Sequence, residues 1–152
     1  MNTNGVTPLD REVTARQHWM SVLARAEENR LEQQLAAIGT PEYRYLRAPE
    51  IGLAMVRGRA GGTGQPFNLG ETTLTRCVVE LANGTHGFGY VQGRSRRHAE
   101  LAAVFDALLQ QNSSLQQSVI EPLHRDWLAA RENLSRKAAS TRVSFMTMVR
   151  GE

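Results

Sequence analysis

The chain of 152 residues contains one cysteine, Cys77, and one lysine, Lys137, among 18 basic residues. A single cysteine cannot form an internal disulfide or a zinc site built from several cysteines. We therefore expect Cys77 to be a small buried apolar residue. The arginines suit bidentate contacts with phosphate or carboxylate, although a general preference for arginine over lysine is the simpler explanation of the composition.

The chain also lacks a long apolar run, and its first residues show neither the basic nor the apolar region of a secretory signal. We therefore expect a cytoplasmic protein without membrane contact. The net charge of +3 comes without a clustered basic stripe and aromatic stacking residues, which disfavours nucleic-acid binding. The length and the 41% hydrophobic share predict one folded domain over residues 1–152, with residues 1–9 flexible.

Hydrophobic periodicity predicts an α+β fold, in which a small antiparallel sheet with a central hairpin packs against N-terminal and C-terminal helices. Asp10 is expected to cap the first helix, and a break near residues 28–29 makes this region one bent helix or two short ones. The remaining elements are predicted as strands at 43–46 and 50–59 on either side of Pro49, a hairpin of 74–81 and 85–91 about Asn83-Gly84, helices at 96–111 and 122–140, and a final strand at 143–149.

Residues 58–64 form a glycine-rich loop in which backbone amides could approach a phosphate, with Arg57, Arg59 or Arg76 neutralising its charge. The loop lacks the Gly-Lys-Ser/Thr ending of a P-loop, and Phe67 stands where the dinucleotide fingerprint needs its third glycine. Two interpretations therefore stay open, a connecting loop that needs positive φ and an anion site.

No residue set in the sequence predicts a self-contained catalytic or metal site. His98-Ala99-Glu100 matches half of a zinc deaminase signature, but the Pro-Cys-x-x-Cys half is absent, so we expect His98 to be a solvated or interface residue. The aspartates are too dispersed for a magnesium site. We expect Asp106 to join a helix-surface or interface ion pair with Arg97 or Glu100, and we expect no metal or cofactor bound by this chain alone.

Six stretches in order resemble the G subunit family of the bacterial carbon–phosphorus lyase core complex. They are residues 16–20, 61–67, 74–76, 89–94, 98–100 and 145–151, with Asp106-Ala107 in addition. The resemblance covers nearly the whole chain. Cys77 stands where this family leads us to expect alanine, and Ser95 where an aspartate is common.

The resemblance implies a subunit of the multi-subunit transferase α-D-ribose 1-methylphosphonate 5-triphosphate synthase, which joins ATP to methylphosphonate and releases adenine in phosphonate catabolism. In that system the I subunit is regarded as carrying the nucleosidase-like chemistry, assisted by the G, H and L subunits, and G, H, I and J form the core. This chain is then an accessory, non-catalytic subunit, ATP is a substrate of the complex, and self-association of the isolated chain is an open possibility.

Candidate phosphate- or partner-binding residues are Arg59, Gly61, Gly62, Thr63, Gly64, Arg76, Arg94 and His98, while catalytic residues are not identified. Two alternatives remain from other classes of protein. One is a free-standing phosphate- or nucleotide-binding enzyme that uses the loop at 61–64. The other is a basic nucleic-acid-binding module, which would show binding that weakens steeply with salt.

Overall fold

The computed structural model describes residues 7–143, and these form an α+β fold around one antiparallel sheet. The helices are α1 (Pro8–Arg25), α2 (Glu28–Ile38), α3 (Arg96–Gln111) and α4 (Glu121–Ser140), and the strands are β1 (Tyr43–Arg59), β2 (Pro66–Leu81) and β3 (His86–Gln92). The sheet order β1-β2-β3 confirms the predicted fold class. The final strand was predicted at 143–149, and apart from Val143 these residues lie outside the described part of the chain.

The first helix begins one turn before the predicted cap. Thr7 is the N-cap, and its hydroxyl accepts a hydrogen bond from the Asp10 backbone N–H, while the Asp10 carboxylate accepts one from the Thr7 N–H. Asp10 therefore completes a capping box rather than capping the helix itself. The predicted break gives two helices, because α1 ends at Arg25 and α2 begins at Glu28.

Strand β1 is continuous, so the prediction of two strands separated at Pro49 is wrong. Its pairing with β2 shifts register between Tyr45 and Arg47 and again between Arg47 and Glu50. Pro49 therefore lies in an irregularity of an edge strand, where its missing N–H breaks no ladder. The hairpin about Asn83-Gly84 is confirmed, with Gly84 at φ 84°, but β2 begins at Pro66, eight residues before the predicted start.

The longer β1 and β2 form an arm, which we define as residues 52–73. Strand β3 pairs with β2 only between Leu74 and Glu80, so in the described structure β1 is the one strand that accompanies β2 beyond Leu74. No residue of the arm is buried. The arm is therefore a two-stranded ribbon that leaves the packed part of the domain.

The core lies between the sheet and α3. Alternate residues of β2, from Thr75 to Leu81, turn toward the helices and are buried, and the prediction of a buried Cys77 is confirmed. Helix α3 crosses β3 over two glycines. A Cβ at Gly87 would lie 1.9 Å from the Ala103 carbonyl oxygen, and one at Gly89 would lie 2.1 Å from the Ala99 carbonyl oxygen. The strand and helix backbones are thus in direct contact.

Helix α4 is mostly exposed. The apolar positions of this helix include Trp127, Ala130 and Leu134, but Leu123 is its only buried residue. Every residue from Leu128 to Val143 is exposed. The apolar period therefore correctly predicts a helix, although most of the apolar face of that helix is exposed. No helix within residues 7–143 combines the length and hydrophobicity that a bilayer span requires.

We predict that Gly89→Ala will destabilise the fold, because the added methyl group must push α3 away from β3. The expected loss in the free energy of unfolding is about 1–3 kcal/mol or more, measured by urea denaturation. Gly70→Ala in the arm is the matched control, since a Cβ there meets no atom within 4 Å. Equal losses in the two variants would contradict the proposed backbone contact.

Candidate functional site

The predicted site residues divide among three separate places, and the first is the end of the arm. Gly61 and Gly62 have φ of 61° and 79° in a short turn that joins β1 to β2. The Arg59 guanidinium donates a hydrogen bond to the Gly64 carbonyl oxygen at 3.3 Å. The loop is a connection that needs positive φ, and the next element is a strand, so no helix N-terminus adds its dipole to an anion site here.

Arg76 lies on the sheet face turned away from the helices. Its Nε donates to Glu50 Oε1 at 2.5 Å, and Arg47 donates to the same oxygen at 2.6 Å. Hydrogen bonds from Arg47 and then Arg76 lower the pKa of Glu50. Arg76 is ten residues along β2 from Pro66, which at 3.3 Å per residue is about 33 Å. Arg76 and the glycine loop therefore cannot hold one phosphate within a single chain.

The third place is the connection between β3 and α3. Gly93 donates its N–H to the Thr73 carbonyl oxygen at 2.9 Å, and the Thr75 hydroxyl donates to the Gly93 carbonyl oxygen at 2.7 Å. Arg94 follows and is exposed. Within residues 7–143 its guanidinium has no carboxylate partner. The connection is thus held rigidly at the base of the arm while its arginine points to solvent.

His98 is occupied inside the chain. Its backbone N–H donates to the Ser95 hydroxyl, which is the N-cap of α3, and its Nε2 lies 2.8 Å from the Leu23 carbonyl oxygen. Because a carbonyl can only accept, Nε2 carries the proton and donates it. His98 is half-buried and links α3 to α1, so the solvated alternative is wrong, while a place for His98 at an interface with a partner stays a prediction.

A buried carboxylate, which the sequence analysis misplaced, lies at the centre of the structure. Asp106 is fully buried. It accepts hydrogen bonds from Arg16 at 3.2 and 2.8 Å, from Trp19 Nε1 at 2.8 Å and from the Phe88 backbone N–H at 2.9 Å. These donors come from α1 and β3, so one side chain on α3 joins three elements.

The predicted pairing of Asp106 with Arg97 or Glu100 is therefore wrong, and helix geometry explains why. At about 100° per residue, positions 97 and 106 lie on opposite sides of α3, and position 100 is displaced by about 120°. The side of α3 that bears Asp106 faces the core. The stretch 16–20 in α1 contained a signal for the actual partners of Asp106. Its helix face carries an arginine and a tryptophan, and both side chains can donate hydrogen bonds to a buried acid.

Glu100 and Arg97 form a second cluster with the two tyrosines of β1. The hydroxyls of Tyr43 and Tyr45 each donate to Glu100 Oε1 at 2.5 Å, and Arg97 Nη1 lies 3.1 Å from Glu100 Oε2. Arg97 also binds Glu32 through Nε and Nη2 at 2.6 and 2.9 Å. This cluster connects α3 to β1 and to α2.

The cluster lowers the pKa of its carboxylate and raises the pKa values of its two phenols. Burial favours the neutral form of Glu100, but the hydrogen bonds from Tyr43, Tyr45 and Arg97 prevail and lower its pKa. The hydrogen bond to Glu100 raises the pKa of Tyr45, while burial is the main cause of the raised pKa of Tyr43. At neutral pH the group is therefore one carboxylate held by two phenols and a guanidinium.

Helix α4 joins α1 through aromatic contacts. The guanidinium carbons of Arg25 and Arg131 lie 4.7 and 5.3 Å from the centre of the Trp127 ring, and His124 stacks on the same ring with centroids 6.1 Å apart. His18 meets His124 edge to face at 5.1 Å. These contacts anchor the first part of α4 before its exposed half begins.

The described residues offer little chemistry for a reaction of their own. Burial, followed by the charge of Glu100, raises the pKa of the Cys77 thiol to about 11, so the thiolate needed for attack is scarce at neutral pH. In residues 7–143 no three histidine, cysteine, aspartate or glutamate side chains come together as metal ligands would. The carboxylates of Asp106 and Glu100 and the imidazole of His98 instead form contacts that join helices and strands.

Fold and polar networks together define a small α+β protein whose charged clusters hold its elements in place and whose arm and last helix remain uncovered. A family model described as "Phosphonate metabolism protein PhnG" matches residues 14–151, and the chain belongs to this family. It is 46% identical over 149 residues to "Alpha-D-ribose 1-methylphosphonate 5-triphosphate synthase subunit PhnG" of Rhizobium meliloti (strain 1021), with 94% of each chain covered. The predicted family is confirmed.

We predict that Asp106→Asn will lower the free energy of unfolding by about 2–3 kcal/mol, because the amide loses the charge that binds Arg16 and presents a donor where an acceptor is needed. The measurement is urea denaturation at neutral pH. Asp126→Asn is the control, since the Asp126–Arg30 pair is exposed and should contribute less than about 1 kcal/mol. A difference between the variants within error would refute the central role of Asp106.

Proposed function

We propose that this chain is an accessory, non-catalytic subunit of the complex that converts ATP and methylphosphonate to α-D-ribose 1-methylphosphonate 5-triphosphate and adenine. The observation that carries the proposal is the 46% identity, over 94% of both chains, to a relative named as a subunit of that synthase. The family description adds a role in phosphonate metabolism. Similarity over this length supports an equivalent place in an equivalent complex.

The non-catalytic part of the proposal rests on how the reactive groups are used. Asp106 is buried beneath Arg16 and Trp19, and Glu100 is held by three donors. His98 is committed to a backbone carbonyl. A general acid or base must be able to reach the substrate and change its protonation, and these groups are instead fixed in internal contacts.

The same proposal assigns partners and conditions. The I, H and J subunits of the core complex are the expected partners, with the L subunit added for the synthase reaction. ATP then enters as a substrate of the assembly, and the chain by itself holds no cofactor. Assembly with these subunits in the cytoplasm follows from the catabolic role.

Within this subunit we assign contact with a partner or with the triphosphate to Arg94 and to the loop containing Arg59 and residues 61–64. Arg94 is exposed beside the α3 N-terminus, where a phosphate or carboxylate is favoured electrostatically. Arg76 is less suited to this contact, because Glu50 already occupies its guanidinium.

We predict that the isolated chain will release no adenine from ATP in the presence of methylphosphonate, and that adding it to the remaining subunits will restore release. The measurement is adenine by liquid chromatography, with the subunit mixture lacking this chain as the control. Full activity without this chain would refute an essential subunit. A comparable rate from this chain alone would refute the non-catalytic assignment.

For the arginine, we predict that Arg94→Ala will reduce adenine release at equal assembly, and that Arg136→Ala will not. A charge-assisted contact commonly contributes about 1.5–3 kcal/mol, which is about 10- to 150-fold in rate if the contact forms in the transition state. Arg136 is a suitable control because it is exposed and, within residues 7–143, its ion-pair partner is Glu132 one turn away on α4. Equal activities would remove Arg94 from the site.

A further inference from the structure

The arm defined by residues 52–73 carries more exposed apolar surface than a free ribbon should. Leu53 is 67% exposed and Leu69 is 68% exposed, and Met55, Val56 and Phe67 are also exposed. An isolated pair of strands is at best marginally stable in water, and several large apolar side chains exposed close together indicate an interaction site. The arm therefore has the composition of a surface that is covered in use.

The apolar side chains occupy both faces of the arm. Leu53 and Met55 continue the face that bears the buried Thr75, since Ile51 pairs with Thr75 and the side chains alternate. On the other face, Gly58 is in register with Phe67, and a Cβ at Gly58 would lie 3.6 Å from the Phe67 ring. A single flat surface could cover only one of these faces. The arm is instead suited to insertion into a cleft.

The charges of the arm indicate the chemistry of that cleft. Residues 52–73 contain Arg57 and Arg59 near the tip and one acidic residue, Glu71. Within the described part of the chain neither arginine pairs with a carboxylate, and Arg59 instead donates to the Gly64 carbonyl oxygen. A cleft that receives the tip would therefore need carboxylates at its closed end.

A second copy of this chain fits such a cleft poorly. Strand β1 is the exposed edge of the sheet, and it bears four arginines, Arg44, Arg47, Arg57 and Arg59, against one glutamate. Glutamates pair with Arg44 and Arg47, but Arg57 and Arg59 have no carboxylate partner within residues 7–143. Two β1 edges paired together would bring these two unpaired charges close to those of the other copy, which is unfavourable. The charge pattern favours a different, acidic polypeptide.

We propose that the arm is inserted into an apolar cleft, with carboxylates at its closed end, in another subunit of the complex. The strands are eight residues long from Gly52 to Arg59, so the arm reaches about 26 Å into the partner. Gly61 and Gly62 keep its tip narrow. The proposal rests on the assignment as a subunit made above, and it names the surface through which the subunit docks.

The test compares two double variants of the full chain for binding to the purified remaining subunits. Leu53→Ser with Met55→Ser removes the apolar arm face, and Leu128→Ser with Leu134→Ser makes the same change at exposed positions of α4. We expect the arm variant to bind about a hundredfold more weakly, as expected when central apolar anchors are lost, and the α4 variant to bind like the wild type. Binding is measured by biolayer interferometry, and the unfolding midpoint is recorded for every variant.

A charge variant keeps the test decisive if the first variant unfolds more easily. Within residues 7–143 the Arg57 side chain forms no hydrogen bond or ion pair that Arg57→Glu would break, and Arg125→Glu makes the same change on α4. We expect Arg57→Glu to bind at least tenfold more weakly than the wild type, and Arg125→Glu to bind like the wild type. The affinity of the wild type should fall more steeply with rising salt than the affinity of Arg57→Glu. Wild-type binding in Arg57→Glu would overturn the cleft with carboxylates.

The remaining outcomes separate this inference from the proposed function. A wild-type chain that binds none of the other subunits refutes the proposed function, and the docking arm with it. A wild-type chain that binds them, with an arm variant that binds equally well, overturns only the docking arm. Self-association is measured by analytical ultracentrifugation. If an arm variant no longer self-associates but joins the complex normally, the arm binds a second copy of this chain, and the docking arm is also overturned.

Discussion

The carboxylate of Asp106 is the interaction on which the arrangement of the other elements depends. A buried charge is costly unless it is paired and hydrogen-bonded, and Asp106 meets that condition only when Arg16 and Trp19 of α1 and the Phe88 backbone of β3 are all in place. Loss of either element would remove part of the hydrogen bonding that compensates the buried charge. The buried acid thus favours one packing of α1, α3 and β3 over its alternatives.

Close packing adds a second constraint on the same elements. Because Gly87 and Gly89 have no side chains, the backbone of α3 can contact the backbone of β3. This close approach places the Asp106 side of the helix against β3. On other sides of α3, Glu100 reaches the tyrosines of β1 and His98 reaches α1. Several stretches that identify the family therefore contribute residues to the fold, and their presence does not by itself indicate contact with a substrate.

What could be predicted from the sequence follows from the range of the interactions involved. The hairpin at Asn83-Gly84 and the helical pattern of α3 depend on neighbouring residues, and both are found. The site could not be predicted in the same way. Arg76 was placed beside the glycine loop because the two are close in sequence, yet an extended strand separates them by about 33 Å, and Glu50 is the partner that the sheet brings to Arg76.

The sequence by itself determined the family, the α+β class, the burial of Cys77 and the hairpin at Asn83-Gly84, because these depend on residue identity and on short-range periodicity. Only the tertiary structure decided that Asp106 is an internal anchor, that β1 and β2 extend into an uncovered arm, and that most of the apolar face of α4 is exposed. A periodic pattern shows that a face is apolar. Which surface covers that face depends on residues far away in the chain, or in another chain, and on the distances between them.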